Sequence, residues 1–338
     1  MSTLLFYLLF SLQLLQSFIF SNACKCAKKE TPYPIYSVST NLEYSSEWWY
    51  FLLNSEDPQS PLVSSEIIWF RYGTLCNNTS LFIYQHSNLY RNGSFRNSQE
   101  LVVQESVSGE NFLQVHNYSL SWIKKDKYQL SIKGFETFNL SGYGYPQGNN
   151  QDGFVQSGAR ACDTSYTLSF MDLRGTHNQS AFRGYGEHVL TSTNARKSPY
   201  IGWNCHYFHA TTIREVGELG ELEGLSDYFL CQSKFSNTNL TDPYQRAMLL
   251  YDNKTVWTTA FTTTALNSWK SPNSKVSYHT YWSITFLDLD FTHYFIPYYE
   301  QQEVVSNTKI NFWDGSAIVL NDLGEVIGFG FNEIFKLV

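Results

Sequence analysis

Charge is scarce in this chain: Asp, Glu, Lys and Arg make up 16% of its 338 residues, and the balance is −7. A nucleic-acid partner needs a basic face to neutralise phosphates, so that class is set aside. Cysteine is sparse too, with six residues and no CxxC pair, which argues against a zinc ribbon. No G-x-S-x-G elbow is present, so an α/β-hydrolase is disfavoured. H-E-x-x-H and the P-loop are likewise missing. Helical periodicity is nearly absent, with faint traces only at Glu215 to Leu225 and Asp242 to Leu250. After the N-terminal segment no apolar run reaches a spanning length, so no stable membrane span is expected once that segment is removed.

That segment, Leu4 to Phe20, is almost uncharged and is followed by Ser21-Asn22-Ala23, which puts small residues at the −3 and −1 positions of a cleavage site. The pattern predicts a signal peptide over residues 1–23 and a secreted product. Asn-X-Ser/Thr sequons agree with it, at Asn77, Asn78, Asn92, Asn117, Asn139, Asn178, Asn239 and Asn253. A glycan at any of them needs a surface position. All six cysteines (Cys24, Cys26, Cys76, Cys162, Cys205 and Cys231) follow the expected cleavage point, and an even number in an exported chain suggests disulfides. Cys205 and Cys231 have a separation that suits neighbouring strands, so at least that bond is expected.

Aromatic residues are abundant: 24 Tyr, 25 Phe and 9 Trp, or 17% of the chain. Such side chains fit the pleated, half-buried surface of a sheet. From Tyr278 to Phe286 one face carries Tyr278, Thr280, Trp282, Ile284 and Phe286, and the other carries His279, Tyr281, Ser283 and Thr285. Turn signals such as Asn92-Gly93, Asp152-Gly153 and Asn321-Asp322 separate segments of this kind. The expected fold is all-β, with two packed antiparallel β-domains, a β-sandwich and a barrel. Gly142 to Gly158 reads as a long loop within the first. Residues 24–190 and 191–338 form the two domains, because the chain is too long for one small barrel.

Two clusters carry candidate chemistry. Glu47-Trp48-Trp49-Tyr50-Phe51 sets an acid among aromatics. In an apolar cavity, desolvation would raise the Glu47 carboxyl and make it a usable acid. The plainer alternative is a core strand with Glu47 at its solvent edge. Gly184-Tyr185-Gly186-Glu187-His188 offers a second acid and a base, on opposite faces of a regular strand. Trp48, Trp49, Tyr50, Tyr185, Trp203 and Trp282 are the candidate ligand-lining residues. Cys205-His206-Tyr207-Phe208-His209 invites a metal reading, but residues three apart on a strand point to opposite faces. No metal site is expected.

Glu47-Trp48-Trp49-Tyr50-Phe51 resembles the E-W-W-Y-F signature of the AttH/CrtC-like family, which includes carotenoid 1,2-hydratases (hydroxyneurosporene synthases) and fungal Diels–Alderases. Later stretches match the same pattern in order. Ser165-Tyr166-Thr167-Leu168 through Asp172-Leu173 and Gly175 is similar to the family's strand and D-L-x-G segment. Glu300-Gln301-Gln302-Glu303-Val304 is similar to its Q-E element. Phe312-Trp313-Asp314-Gly315 and Gly328-Phe329-Gly330-Phe331-Asn332-Glu333 are similar to its closing hairpin. The hydratases' W-M-D-H-E element is replaced here by Arg183-Gly184-Tyr185-Gly186-Glu187-His188, so only Glu187 inherits the acid and carotenoid hydration is not implied.

The resemblance implies two lipocalin-related β-domains, an apolar cavity at or near their interface, and catalysis by shape and one or two acids without a cofactor. The expected function is a secreted lipocalin-like protein that binds a small hydrophobic molecule, polyene- or terpenoid-like, and hydrates, isomerises or cyclises it. Glu47, Glu187 and His188 are the expected catalytic residues. A carrier that binds a lipid without turnover is the alternative, and a surface glycoprotein with a filled cavity is the third reading.

Overall fold

Alternation of side chains predicts strands, and the strand Ser277–Phe286 shows it directly. Tyr278, Thr280, Trp282, Ile284 and Phe286 are buried, whereas Ser277 and His279 are exposed. The computed structural model describes residues 46–73, 80–104, 107–109, 112–115, 118–124, 128–133, 136–146, 154–156, 164–191, 200–210, 224–235, 246–251, 254–305 and 311–336. Among them there is no helix, and all strand pairings are antiparallel. The faint helical trace at Asp242 to Leu250 is corrected: Arg246–Tyr251 is a strand. Its residues Ala247, Met248, Leu249 and Leu250 are all buried. A run that is apolar on both faces has no period to read. The expected loop from Gly142 also begins as strand, since Thr137–Pro146 is continuous.

The strands form a 12-stranded sheet spanning Ser46–Thr191 and a 10-stranded sheet spanning Tyr200–Lys336. Both follow one plan. In the first sheet the opening strand Ser46–Ser55 lies between the second strand, Leu62–Gly73, and the last, Ser180–Thr191. In the second sheet the opening strand Tyr200–Ala210 lies between Leu225–Phe235 and the last, Val326–Lys336. Each sheet therefore curls until its ends in sequence meet. The spatial ends of the first are Phe95–Gln104 and Val107–Gly109, and those of the second are Lys254–Thr258 and Phe261–Lys270. In both cases these strands are consecutive in the chain, which is the order of an up-and-down barrel opened along one seam.

Each curled sheet encloses its own core. Trp49, Phe51, Leu53, Trp69, Trp122 and Phe182 fill the first. Phe208, Tyr228, Trp282, Phe286, Phe295 and Trp313 fill the second. A third apolar cluster joins the sheets, drawing Tyr50, Leu52, Met171 and Tyr185 from one and Tyr207, Met248 and Phe331 from the other. The central strands are consequently buried on both faces.

Cys205 and Cys231 are directly paired across neighbouring strands and form a disulfide. Closing a loop with a sequence separation of 26 contributes about 3 kcal/mol in the chain-entropy picture. The other four cysteines lie outside the described residues. Of the sequons, Asn92, Asn139 and Asn178 are on exposed positions, and the remaining five also lie outside.

Candidate active site at the domain junction

Strand parity decides which side chains reach the junction. On the opening strand, Tyr50 and Leu52 belong to the junction cluster and Trp48 packs against it. Trp49, Phe51 and Leu53 point the other way, into the first core. Directly across from Tyr50 on the last strand is Glu187, and across from Leu52 is Tyr185. The indole Nε1 of Trp48 donates to Glu187 Oε1 at 2.9 Å, and the hydroxyl of Tyr185 donates to Oε2 at 2.8 Å. The ring of Tyr185 stacks on Phe229 of the second sheet at 4.4 Å.

The second sheet presents a matching acid. Trp203 Nε1 donates to Glu333 Oε1 at 2.6 Å, and Glu333 lies across from both Cys205 and Asp314. Glu187 and Glu333 are only half-buried by surface, yet burial pushes the carboxyls of both upward, Glu333 to about 8. Desolvation with some remaining solvent contact describes a recessed position. Trp48 and Tyr185 act against the rise at Glu187, because donors favour the charged form. No described cation figures among the groups acting on either acid.

Behind them lie two sealed acids, one from each sheet. Glu66 is across from Leu52, and its carboxyl is raised chiefly by burial, with Asp314, Ser87 and Tyr50 drawing it back. Asp314 is raised well above its ordinary value by burial and by the neighbouring Glu66 and Glu333. Neither carboxyl makes a hydrogen bond of good length and angle, nor does the Tyr50 hydroxyl, although the groups are near enough to interact. Tyr50 feels all four acids. A Ser316–Ser64 hydroxyl contact crosses between the sheets beside this pair.

At the same face Arg183 reaches from the first sheet to Asp227 of the second, with Nη2 to Oδ2 at 3.0 Å. Tyr207 donates to the other oxygen of Asp227 at 2.7 Å. Arg183 Nε also pairs with the partly exposed Asp172, at 2.6 Å. A shallow pocket of about 100 Å³ lined by Asn54, Val63, Arg91, Tyr298 and Phe329 shares none of the acids with the site.

The expected site residues divide accordingly. Trp48, Tyr50, Tyr185 and Glu187 come together, and Trp203 holds Glu333, whose charge acts on Tyr50 and Tyr185. Trp49 and His188 do not: their rings stack at 4.6 Å on the first core's side. Trp282 is in the second core, donating to the His279 carbonyl. Position 47 alternates with Trp48 and Tyr50, and its side chain lies outside what is described. His206 and His209 fall on opposite faces, His206 against Trp282 and Asn332 and His209 toward Arg183. Glu66, Asp314 and Glu333 had no role in the sequence reading, although Asp314 and Glu333 occupy acidic positions of the closing-hairpin motif.

The same architecture occurs in a protein described as an AttH from Nitrosomonas europaea, with a TM-score of 0.69 and 17% identity over 95% of this chain and 99% of that one. The fold is AttH-like. Kievitone hydratase from Nectria haematococca matches with a TM-score of 0.61 and 12% identity over 94% of each chain. No family model and no curated protein sequence matches the chain. At such identities the likeness establishes the AttH-like fold.

The acids at this junction predict a pH dependence for the packing of the two sheets. All four hold protons more tightly folded than unfolded. Their stabilising contribution is therefore complete below the unfolded pKa and is lost as pH rises through the folded one. For Glu333 that interval runs from 4.5 to about 8. Denaturant midpoints are expected to fall across this interval, and the double variant Glu66→Gln with Asp314→Asn should flatten the slope. A slope of opposite sign would contradict the assignment.

Proposed function

We propose that this chain is a secreted, glycosylated enzyme that binds a polyene- or terpenoid-like molecule at the domain junction and hydrates, isomerises or cyclises it without a cofactor. Glu187 is the proton donor. The observation that carries this reading is a recessed carboxyl raised by burial, held by Trp48 and Tyr185, and set among aromatic rings with no described cation acting on it. An ion pair would lower such a group and spoil it as an acid.

Desolvation lets Glu187 hold its proton toward neutral pH, and the two donors steady the carboxylate left after transfer. When the proton goes to one carbon of a double bond, the C–H bond takes the π electrons and positive charge develops on the other carbon. The aromatic side chains of Trp48, Trp203, Tyr185 and Phe229 would stabilise it. Water then adds and loses a proton to carboxylate, giving hydration; loss of a neighbouring C–H proton instead gives isomerisation. One structural relative is named a hydratase, and the first of these outcomes belongs to that class. The disulfide and the exposed sequons support an exported protein.

Native mass spectrometry of protein purified from its own host is expected to reveal a co-purifying apolar molecule of small mass. Protein that carries none, and takes up none from a lipid extract, would contradict the reading. Bound ligand without any turnover would leave a carrier.

A further inference from the structure

The two sheets repeat one local unit, residue for residue, at the junction. In the first, Trp48 lies two positions before Tyr50, which faces Glu187; two further on, Leu52 faces Tyr185. In the second, Trp203 lies two positions before Cys205, which faces Glu333; two further on, Tyr207 faces Phe331. Both last strands read glycine, aromatic, any residue, glutamate: Gly184-Tyr185-Gly186-Glu187 and Gly330-Phe331-Asn332-Glu333. The glycines correspond as well. A Cβ on Gly184 would collide with the Leu52 carbonyl oxygen, and one on Gly330 with that of Tyr207. Those carbonyls belong to residues four beyond Trp48 and Trp203 respectively. In both units the indole Nε1 donates to Oε1 of the acid.

We propose that Glu333 is a second catalytic residue, the counterpart of Glu187, and that the substrate is worked on between two indole-held carboxyls, one from each domain. The inference rests on the acid-catalysis reading above and adds a second acid to that site. Two carboxyls close enough to repel in apolar surroundings resist ionising together, so the pair holds one proton between them. Glu187 acts on Glu333 in this sense, and Glu66 adds to it. Tyr50, Tyr185 and Asp314 are the other titratable groups facing the pair.

From the microstate in which Glu187 holds the shared proton, Glu187 gives it to a substrate carbon and ionised Glu333 accepts the proton released by the attacking water. One C–H bond and one C–O bond form, one C=C π bond and one O–H bond break, and the proton has moved from one carboxyl to the other. Solvent contact of both acids then allows the pair to reset. Isomerisation follows the same balance, with a C–H proton taken in place of the water proton.

Carbon-13 NMR of protein labelled at the glutamate carboxyls tests the pairing without any substrate. The wild type is expected to show two separated steps, with Glu333 titrating near 8. In Glu187→Gln the Glu333 midpoint should fall by about one pH unit, the size of a neighbouring-charge effect. In Glu333→Gln the Glu187 midpoint should stay near its wild-type position, because Glu187 ionises first, while Glu333 still holds its proton. Should either variant fail to fold, Trp203→Phe serves instead, with the Glu333 midpoint expected to rise on loss of the donor. A Glu333 midpoint that stays where it was in Glu187→Gln overturns the pairing. With the molecule that co-purifies as substrate, Glu333→Gln should lose about 100-fold in turnover. Full activity would make Glu333 a bystander even if Glu187 proves catalytic; inactivity of the wild type itself would instead fall on the functional reading.

Discussion

Glu187→Gln is expected to lower turnover of the co-purifying apolar molecule by about 100- to 10,000-fold while leaving its binding intact, the range for a positioned general acid. The substitution keeps the side chain's length, and its amide oxygen can still accept from Trp48 or Tyr185. What it removes is the exchangeable proton. Tyr185 would keep its stack on Phe229, and Trp48 would stay packed against the junction cluster. Equal losses of binding and turnover would point to a collapsed site. Unchanged turnover with retained binding would remove Glu187 from the chemistry.

The second large effect concerns stability. Arg183→Met is expected to destabilise the protein by about 3–5 kcal/mol, the usual consequence of stripping one partner from a buried ion pair. Asp227 is fully buried, and without the guanidinium only Tyr207 and smaller contacts remain to hold its charge. Removing both charges, with Arg183→Met and Asp227→Leu together, should recover much of the loss. A buried pair replaced by apolar groups of similar volume often costs little. Equilibrium unfolding of the two single variants and the double gives the coupling directly. Additive losses would mean that the two groups do not act as a pair.

Much of the fold was legible because alternation is a local signal. Ser277–Phe286 reads correctly since one face meets a core and the other is more exposed. The same logic fails on Ser46–Ser55. Trp49, Tyr50, Phe51, Leu52 and Leu53 are all buried, so no polar face marks which aromatic looks where. Trp48 and Trp49 are neighbours in sequence but serve the junction and the first core respectively. Adjacency puts Glu187 and His188 on opposite faces, and the strand sends His188 to Trp49. Cys205 and Cys231 could be paired from spacing because the bond is between neighbouring strands.

The rest of the acids could not be found that way. Glu66 and Asp314 meet only when two sheets, far apart in sequence, are laid against each other. The Trp–Glu units of the two domains share so few identities that the repeat becomes visible only from register. A Trp on the opening strand, and glycine, an aromatic and glutamate at fixed offsets on the last strand of each sheet, are its sequence trace.

Deuterium transfer tests the central claim most directly. The apolar molecule released from the wild-type protein, returned to it in heavy water, is expected to acquire deuterium at carbon, and Glu187→Gln should abolish this without preventing binding. Deuterium uptake that is absent in the wild type, or equal in the wild type and the variant, would contradict proton donation by Glu187.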